Sequence, residues 1–270
     1  MPLNQILSLI VLVFIFGAVI GSFLNVCIYR IPAGLSVVKP RSRCPHCESL
    51  IRWYHNLPIV SWFLLKGKCA YCGAAVSKRY LLVEALNGVL FALFFYRFAF
   101  HPVTPVIWLL VAALVVITFV DLDHQIIPDV ISLPGIPIGF LCSFLVPWVS
   151  WQDSLVGIVL GGGSLLVIAL GYELLTKKEG MGFGDVKLLA MLGAFLGWTA
   201  IFPIIFIGSL LGTLVGVPLM LIKKADSKLA VPFGPFLSAG ALIHVYFVQD
   251  FDPSMRWYVN MLQELLFSSW

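Results

Sequence analysis

Charge is what this chain of 270 residues has least of. Only 11% of its residues are Asp, Glu, Lys or Arg, whereas soluble domains carry about 25%. Hydrophobic residues make up 60% of the chain. So little charge with so much apolar surface excludes a soluble globular protein, a coiled coil and a disordered chain. Lipid must therefore be the solvent for most of the sequence.

Long apolar runs are plentiful, and a helix needs about 20 such residues to cross the hydrocarbon core. The first run, residues 6–28, has no charge and lacks the basic start and small-residue cleavage site of a signal peptide. Seven more runs follow a polar insert at residues 30–80, and they are 81–100, 104–121, 130–149, 155–176, 185–199, 201–222 and 230–249. We therefore predict an all-α polytopic membrane protein with about eight transmembrane helices, one of them (185–199) short.

The basic residues predict the orientation of these helices. If the spans alternate, fifteen of the seventeen Lys and Arg residues fall on one side of the membrane, nine of them in the insert. Basic loops stay in the cytoplasm, so we expect the insert there and both termini outside. The tail 250–270 mixes Trp, Tyr and Leu with polar residues, which predicts an interfacial segment and not a ninth span.

Small residues recur every four positions in several spans. Such spacing lets helix backbones approach closely. We therefore expect tight helix packing along the faces formed by Gly17, Gly21 and Asn25, by Gly193 and Gly197, and by Gly208, Gly212 and Gly216.

Four cysteines in the insert form two Cys-x2-Cys pairs, Cys44 with Cys47 and Cys69 with Cys72. Two such pairs supply four thiolates, the usual ligands of a closed structural Zn²⁺ site. Disulfides rarely persist in the reducing cytoplasm, so we predict a zinc-binding insert; the alternative is four cysteines without metal. A basic zinc insert can also bind nucleic acid, but the insert has no concentrated basic run, and we expect no nucleic-acid partner.

Acidic residues at the ends of membrane helices suggest function, because a carboxylate there is costly. Asp121 closes the third predicted span, and Asp185 opens the sixth after Gly180, Gly182 and Gly184. Although 64 residues apart, the two are predicted at the same depth on the same side. Two facing carboxylates that share a proton around a water are the machinery of an aspartyl protease. The alternative is that both are helix caps or loop ends, and helix capping is the role we assign to Asp129.

The segment Gly182-Phe-Gly-Asp185 is similar to the GxGD signature of intramembrane aspartyl proteases. Together with Gly21-Ser-Phe-Leu-Asn25, the two cysteine pairs and Asp121-Leu-Asp123, it resembles the bacterial type IV prepilin peptidase family over roughly residues 10–220. The resemblance implies cleavage of the leader of type IV prepilins or type II secretion pseudopilins at the cytoplasmic face of the inner membrane. It also implies N-methylation of the new N-terminus with S-adenosylmethionine.

The same resemblance assigns the catalytic role to Asp121 and Asp185, with Asp123 as the rival of Asp121. It places methyl transfer in the N-terminal part, residues 1–100, and the peptidase in a six-helix core, residues 101–249. Glu84, the only acid in the second span, is the candidate residue for methyl transfer; the alternative is an ion pair with Lys78 or Arg79.

Three other functions fit the same residues. A GxGD protease with other substrates would share the mechanism. A proton-coupled transporter would use the aspartates as a relay, but its site belongs near the bilayer midplane. A zinc-stabilised membrane scaffold would bind pilus assembly proteins without catalysis.

Overall fold

The computed structural model of the protein describes residues 3–177, 182–223 and 231–251. Those residues form nine α-helices: α1 Leu3–Arg30, α2 Val60–Leu64, α3 Lys78–Phe98, α4 Val103–His124, α5 Asp129–Cys142, α6 Trp151–Thr176, α7 Phe183–Leu196, α8 Ile201–Lys223 and α9 Gly234–Phe251. Extended structure in the described ranges is limited to two isolated β-bridges in the insert. The predicted all-α fold is confirmed.

Eight of these helices, all except α2, correspond to the eight predicted spans. Five are long and apolar enough to cross a membrane: α1, α3, α4, α6 and α8. Helices α5 and α7 have only 14 residues each, short of the about 20 that a full crossing needs. The predicted interfacial tail lies outside the described residues from position 252 onward.

By contacts between residues, the chain divides into two compact units, one up to Val116 and the other from Ile117. In the first unit, α1 packs along α3 through the small-residue face predicted from sequence. A methyl group added to Gly17 would lie 2.8 Å from Cβ of Phe91, and one added to Gly21 would lie 2.8 Å from Cα of Glu84. Asn87 completes the contact by donating a 2.7 Å hydrogen bond to the carbonyl of Gly17.

Helix α7 is the core of the second unit. Every residue from Leu188 to Leu196 is buried, against α5, α6 and α9. Gly193 meets Gly157 of α6 backbone to backbone, and Ser154 of α6 donates a 2.7 Å hydrogen bond to the carbonyl of Ala194. Helix α7 is therefore packed on several sides over its last nine residues.

Two of the predicted glycine faces differ in detail from the expectation. Gly197 ends α7 with φ of 78°, a backbone conformation that favours glycine, so it terminates the helix in addition to packing closely against Gly157 of α6. Gly208 and Gly212 lie against Phe236 of α9, whereas Gly216 has nothing within 4 Å of an added methyl group. The tight part of this face therefore stops before Gly216.

Candidate active site and metal centre

The four insert cysteines come together in one cluster. Their sulfur atoms all lie within 4.8 Å of one another, and the Sγ atoms of Cys44 and Cys72 are 3.8 Å apart. Zinc–sulfur bonds of about 2.3 Å in a tetrahedron place neighbouring sulfurs about 3.8 Å apart. The cluster therefore has the ligand type, number and spacing that a tetrahedral metal requires.

The two cysteine pairs are held by the same backbone pattern. The N–H of Cys44 donates to the carbonyl of Ser49, and the N–H of Cys69 donates to the carbonyl of Ala74. Four residues after each first cysteine, the backbone is left-handed, at Glu48 (φ 55°) in one pair and Gly73 (φ 73°) in the other. The insert thus contains two copies of one Cys-x2-Cys knuckle, differing in the residue at the left-handed position.

Hydrogen bonding favours the thiolate, the form that a metal binds, at Cys47 and Cys69, whereas desolvation and hydrogen bonds with the neighbouring thiols raise the pKa of Cys72 to about 11. Hydrogen bonds with Ser49 lower the pKa of the Cys47 thiol to about 6. Backbone N–H groups of Cys72 and Tyr71 likewise lower the pKa of Cys69.

A cavity of about 810 Å³ lies within the first unit, between the knuckles and the start of α3. That volume is in the range of small-molecule sites. Its wall carries the acid Glu84 and several cations, aromatic rings and polar side chains, among them Arg30, Arg41, Lys68, Tyr29, Tyr71 and Asn25. His55 also lines it, and the buried Nδ1 of His55 has no hydrogen-bond partner among the described residues.

Glu84 is buried in α3 and faces this cavity. Its Oε2 accepts a 2.7 Å hydrogen bond from the N–H of Ile59. Ile59 has φ of 62°, which is a strained conformation for a β-branched residue and is found mostly at functional sites. The carboxylate therefore holds a strained turn at the edge of the cavity.

In the second unit, Asp121 and Asp185 lie close together. Asp121 is buried near the end of α4, and Asp185 is half-buried in the first turn of α7. The two are near enough for the charge of Asp121 to act on the carboxyl group of Asp185. Asp123, the rival of Asp121, is exposed. Two carboxylates in this arrangement can hold one water and one shared proton between them.

Of the two described glycines just before Asp185, Gly184 is the one that acts through its small size. Gly182 has φ of −69°, which any residue adopts, and a methyl group added there would meet nothing closer than 3.8 Å. A methyl group on Gly184 would lie 2.9 Å from Cβ of Ile127, so glycine is needed there for close packing. Gly180 lies outside the described residues.

Gly234, a residue that sequence reasoning missed, also touches the aspartate pair. The N–H of Gly234, at the start of α9, donates a 3.0 Å hydrogen bond to Oδ2 of Asp121. The only signal in the sequence is the Pro232-Phe-Gly234-Pro235 segment before the last apolar run, which predicts a helix start but no partner.

Asp129 is not the helix cap that we expected. Pro128 occupies the cap position of α5, and both carboxylate oxygens of Asp129 bind Nζ of Lys187, at 2.8 and 2.9 Å. Lys187 lies two residues after Asp185, so this ion pair joins the starts of α5 and α7 beside the aspartate pair.

Fold and site together define a helical membrane protein with a close pair of aspartates and a four-cysteine insert. Comparisons with known proteins agree with this description. Residues 15–98 match the family described as Bacterial Peptidase A24 N-terminal domain, and residues 108–217 match the Type IV leader peptidase family. No solved structure was found to match the chain.

Several relatives are similar over nearly their whole length. A prepilin leader peptidase/N-methyltransferase of Stutzerimonas stutzeri is 37% identical over 88% of this chain and 89% of its own. Proteins of the same description are 37% identical in Pseudomonas aeruginosa (90% of each chain) and in Neisseria gonorrhoeae (85% and 87%). The chain belongs to the type IV leader peptidase family, and the resemblance inferred from its sequence is confirmed.

Proposed function

We propose that this protein removes the leader peptide of type IV prepilins or type II secretion pseudopilins and then N-methylates the new N-terminal residue. Family membership supports both activities and argues against the transporter and scaffold alternatives. The observation that carries the peptidase half is the meeting of Asp121 and Asp185, residues 64 positions apart in sequence, at the N-terminus of the buried helix α7.

Peptide hydrolysis at this pair needs one carboxylate and one carboxylic acid. The carboxylate takes a proton from water while the water oxygen adds to the scissile carbonyl carbon, and the acid protonates the carbonyl oxygen. The tetrahedral intermediate then collapses: one of its hydroxyl groups returns a proton to the aspartate that had acted as the acid, the C–N bond breaks, and the amine nitrogen leaves with the proton that the other aspartate took from water. Asp121 is the preferred partner of Asp185 because it is buried beside it, whereas Asp123 is exposed.

The methyltransferase activity is assigned to the first unit, and its site is the cavity between the knuckles and the start of α3. S-adenosylmethionine, when bound, supplies the methyl group for the substrate amine. A ligand with an amine, a carboxylate and a flat heterocycle fits the acid, cations and aromatic rings of the wall. It also fits the Nδ1 of His55, which has no hydrogen-bond partner in the described part of the chain. Glu84 would bind the substrate ammonium group and take the proton that the amine must lose before it attacks.

We assign Zn²⁺ to the four cysteines, as a structural ion. Four thiolates leave no open coordination position for a substrate. The ion would cross-link the two knuckles and so hold the wall of the cavity in place.

The charge distribution supports a location in the bacterial inner membrane with the insert in the cytoplasm. Basic residues concentrate in cytoplasmic loops, and fifteen of seventeen fall on the insert side of the predicted topology. The leader peptide would then be cut at the cytoplasmic face, with the apolar segment of the prepilin remaining in lipid.

The test uses the full-length protein in lipid vesicles, with a prepilin and isotope-labelled S-adenosylmethionine, read by mass spectrometry. Asp121→Asn and Asp185→Asn should each reduce leader removal to background, because a single remaining carboxyl cannot act as both acid and base. Both variants should still methylate a pilin supplied already cleaved. Glu84→Gln should show the opposite pattern, with cleavage kept and methylation lost.

Asp123→Asn is the matched control, and it should cleave at the wild-type rate. Melting curves of each variant check that the fold is retained. Normal cleavage by Asp121→Asn would reject the assignment of Asp121, and parallel loss of both activities in Glu84→Gln would reject a separate methyl-transfer site.

A further inference from the structure

The N-terminus of α9 makes a contact with the aspartate pair that the proposed mechanism has not used. The first N–H groups of a helix have no partner within the helix. At the start of α9, Pro235 has no N–H, and the N–H of Phe236 bonds to the carbonyl of Phe233. The N–H of Gly234 is therefore left to point outward, and it meets Oδ2 of Asp121 at 3.0 Å.

The space around Gly234 admits no side chain. A methyl group added there would lie 2.7 Å from the same Oδ2 of Asp121 and 3.3 Å from Cδ1 of Ile127. Ile127 is itself buried and also lies against Gly184, one residue before Asp185. Ile127 thus lies against both the start of α7, which carries Asp185, and the start of α9, which contacts Asp121.

We propose that Gly234 is a positioning residue for Asp121. The N–H of Gly234 holds the Asp121 carboxylate in its working orientation, and the absence of a side chain on Gly234 leaves room for that carboxylate. This inference rests on the proposed role of Asp121 in cleavage. With Oδ2 held by a hydrogen bond to the backbone of α9, Oδ1 is the oxygen left to face the water and Asp185. The start of α9 is then a third wall of the active site, beside the end of α4 and the start of α7.

A matched pair of glycines on α9 separates positioning from general packing. A methyl group on Gly240 would lie 2.7 Å from the carbonyl oxygen of Ile204, the same crowding as at Gly234 but against the backbone of α8. Gly234→Ala and Gly240→Ala should therefore cost similar stability, while only the first displaces Asp121.

The experiment measures kcat and KM for prepilin cleavage, methylation of a cleaved pilin, and the melting temperature of both variants in vesicles. We expect Gly234→Ala to lower kcat about 100-fold, the cost of misplacing a catalytic group by about 1 Å. Its KM should stay within about twofold of wild type, and its methylation should be normal. Gly240→Ala should lower the melting temperature while keeping the kcat of the folded protein.

Three outcomes overturn the inference: wild-type kcat in Gly234→Ala, an equal loss of kcat in both variants, or a loss in Gly234→Ala that includes methylation. The proposed function is tested separately by Asp121→Asn. If Asp121→Asn cleaves normally, the role of Asp121 is wrong. If Asp121→Asn is inactive but Gly234→Ala cleaves normally, only the role of Gly234 is wrong.

Discussion

The cysteine cluster and the aspartate pair are built in opposite ways. The four cysteines lie within 29 consecutive residues, and each knuckle is closed by hydrogen bonds between residues four or five apart. The aspartate site takes Asp121, Asp185 and Gly234 from three helices, and the hydrogen bond from the N–H of Gly234 to the Asp121 carboxylate joins residues 113 positions apart. One site is local in sequence, and the other exists only because of helix packing.

The difference determines which kind of residue each site depends on. In the knuckles, the left-handed residues Glu48 and Gly73 shape the chain around the cysteines. At the aspartates, Gly184 and Gly234 have no unusual conformation, and their role is to leave room for Ile127 and Asp121. A substitution should therefore act through backbone conformation in the first site and through steric overlap in the second.

Loss of the metal should produce the largest effect. Structural zinc contributes about 10–16 kcal/mol of binding free energy that is also folding free energy. We expect Cys44→Ser to lower bound zinc from one ion per chain to nearly none, as measured by elemental analysis, and to reduce methylation severely because the cavity wall loses its cross-link. Cleavage should fall less, because the aspartate pair lies in the other unit.

Cys142→Ser, at the end of α5 and outside the cluster, is the control and should keep its zinc. Wild-type protein purified without chelators and found free of metal would contradict the zinc assignment.

The two knuckles offer a paired test of backbone conformation. A non-glycine residue in the left-handed region costs about 1–2 kcal/mol. Glu48→Gly should therefore stabilise its knuckle and tighten metal binding several-fold. Gly73→Ala should weaken metal binding by a similar factor. Nothing lies within 4 Å of the methyl group added at Gly73, so the weakening there would come from backbone conformation and not from a clash. Competition with a zinc chelator measures both. A change of the same sign in the two variants would show that conformation is not the cause.

The ion pair between Asp129 and Lys187 should have the smallest effect. Both side chains are partly exposed, at 56% and 31%, and such pairs contribute about 0.2–1 kcal/mol. We expect Asp129→Asn and Lys187→Met each to lower the cleavage rate by less than about fivefold. The double variant should be no worse than either one, as measured in a double-mutant cycle. Fully additive losses would mean that the two residues act independently at the site.

Much of this arrangement was predictable, and the reasons are physical. The eight apolar runs predicted eight helices because lipid requires the backbone to satisfy its own hydrogen bonds. The cysteine cluster followed from spacing, since a Cys-x2-Cys pair forms its half of a metal site by local geometry alone. The alternation of the spans predicts that Asp121 and Asp185 lie at the same depth on the same side of the membrane. It does not predict the distance between the two side chains.

Other features depended on contacts that no local pattern reports. The role of Asp129 was misassigned because a helix-start aspartate looks like a cap in sequence, whereas its actual partner, Lys187, is 58 residues away. Gly234 was missed because a glycine between prolines signals only a turn. The strained Ile59 and its bond to Glu84 were equally invisible, because they join the insert to α3.

From the sequence alone follow the helical membrane fold, the bounds of the polar insert, the four cysteines that can share a metal, and the family. These properties depend on composition, on local spacing and on an ordered set of motifs. Helix packing, by contrast, brings the N–H of Gly234 to Asp121. It also places Ile127 against Gly184 and Gly234 and turns Glu84 toward a cavity. Each of these depends on side chains far apart in sequence meeting at distances of a few ångströms, which helix packing sets and no local pattern encodes.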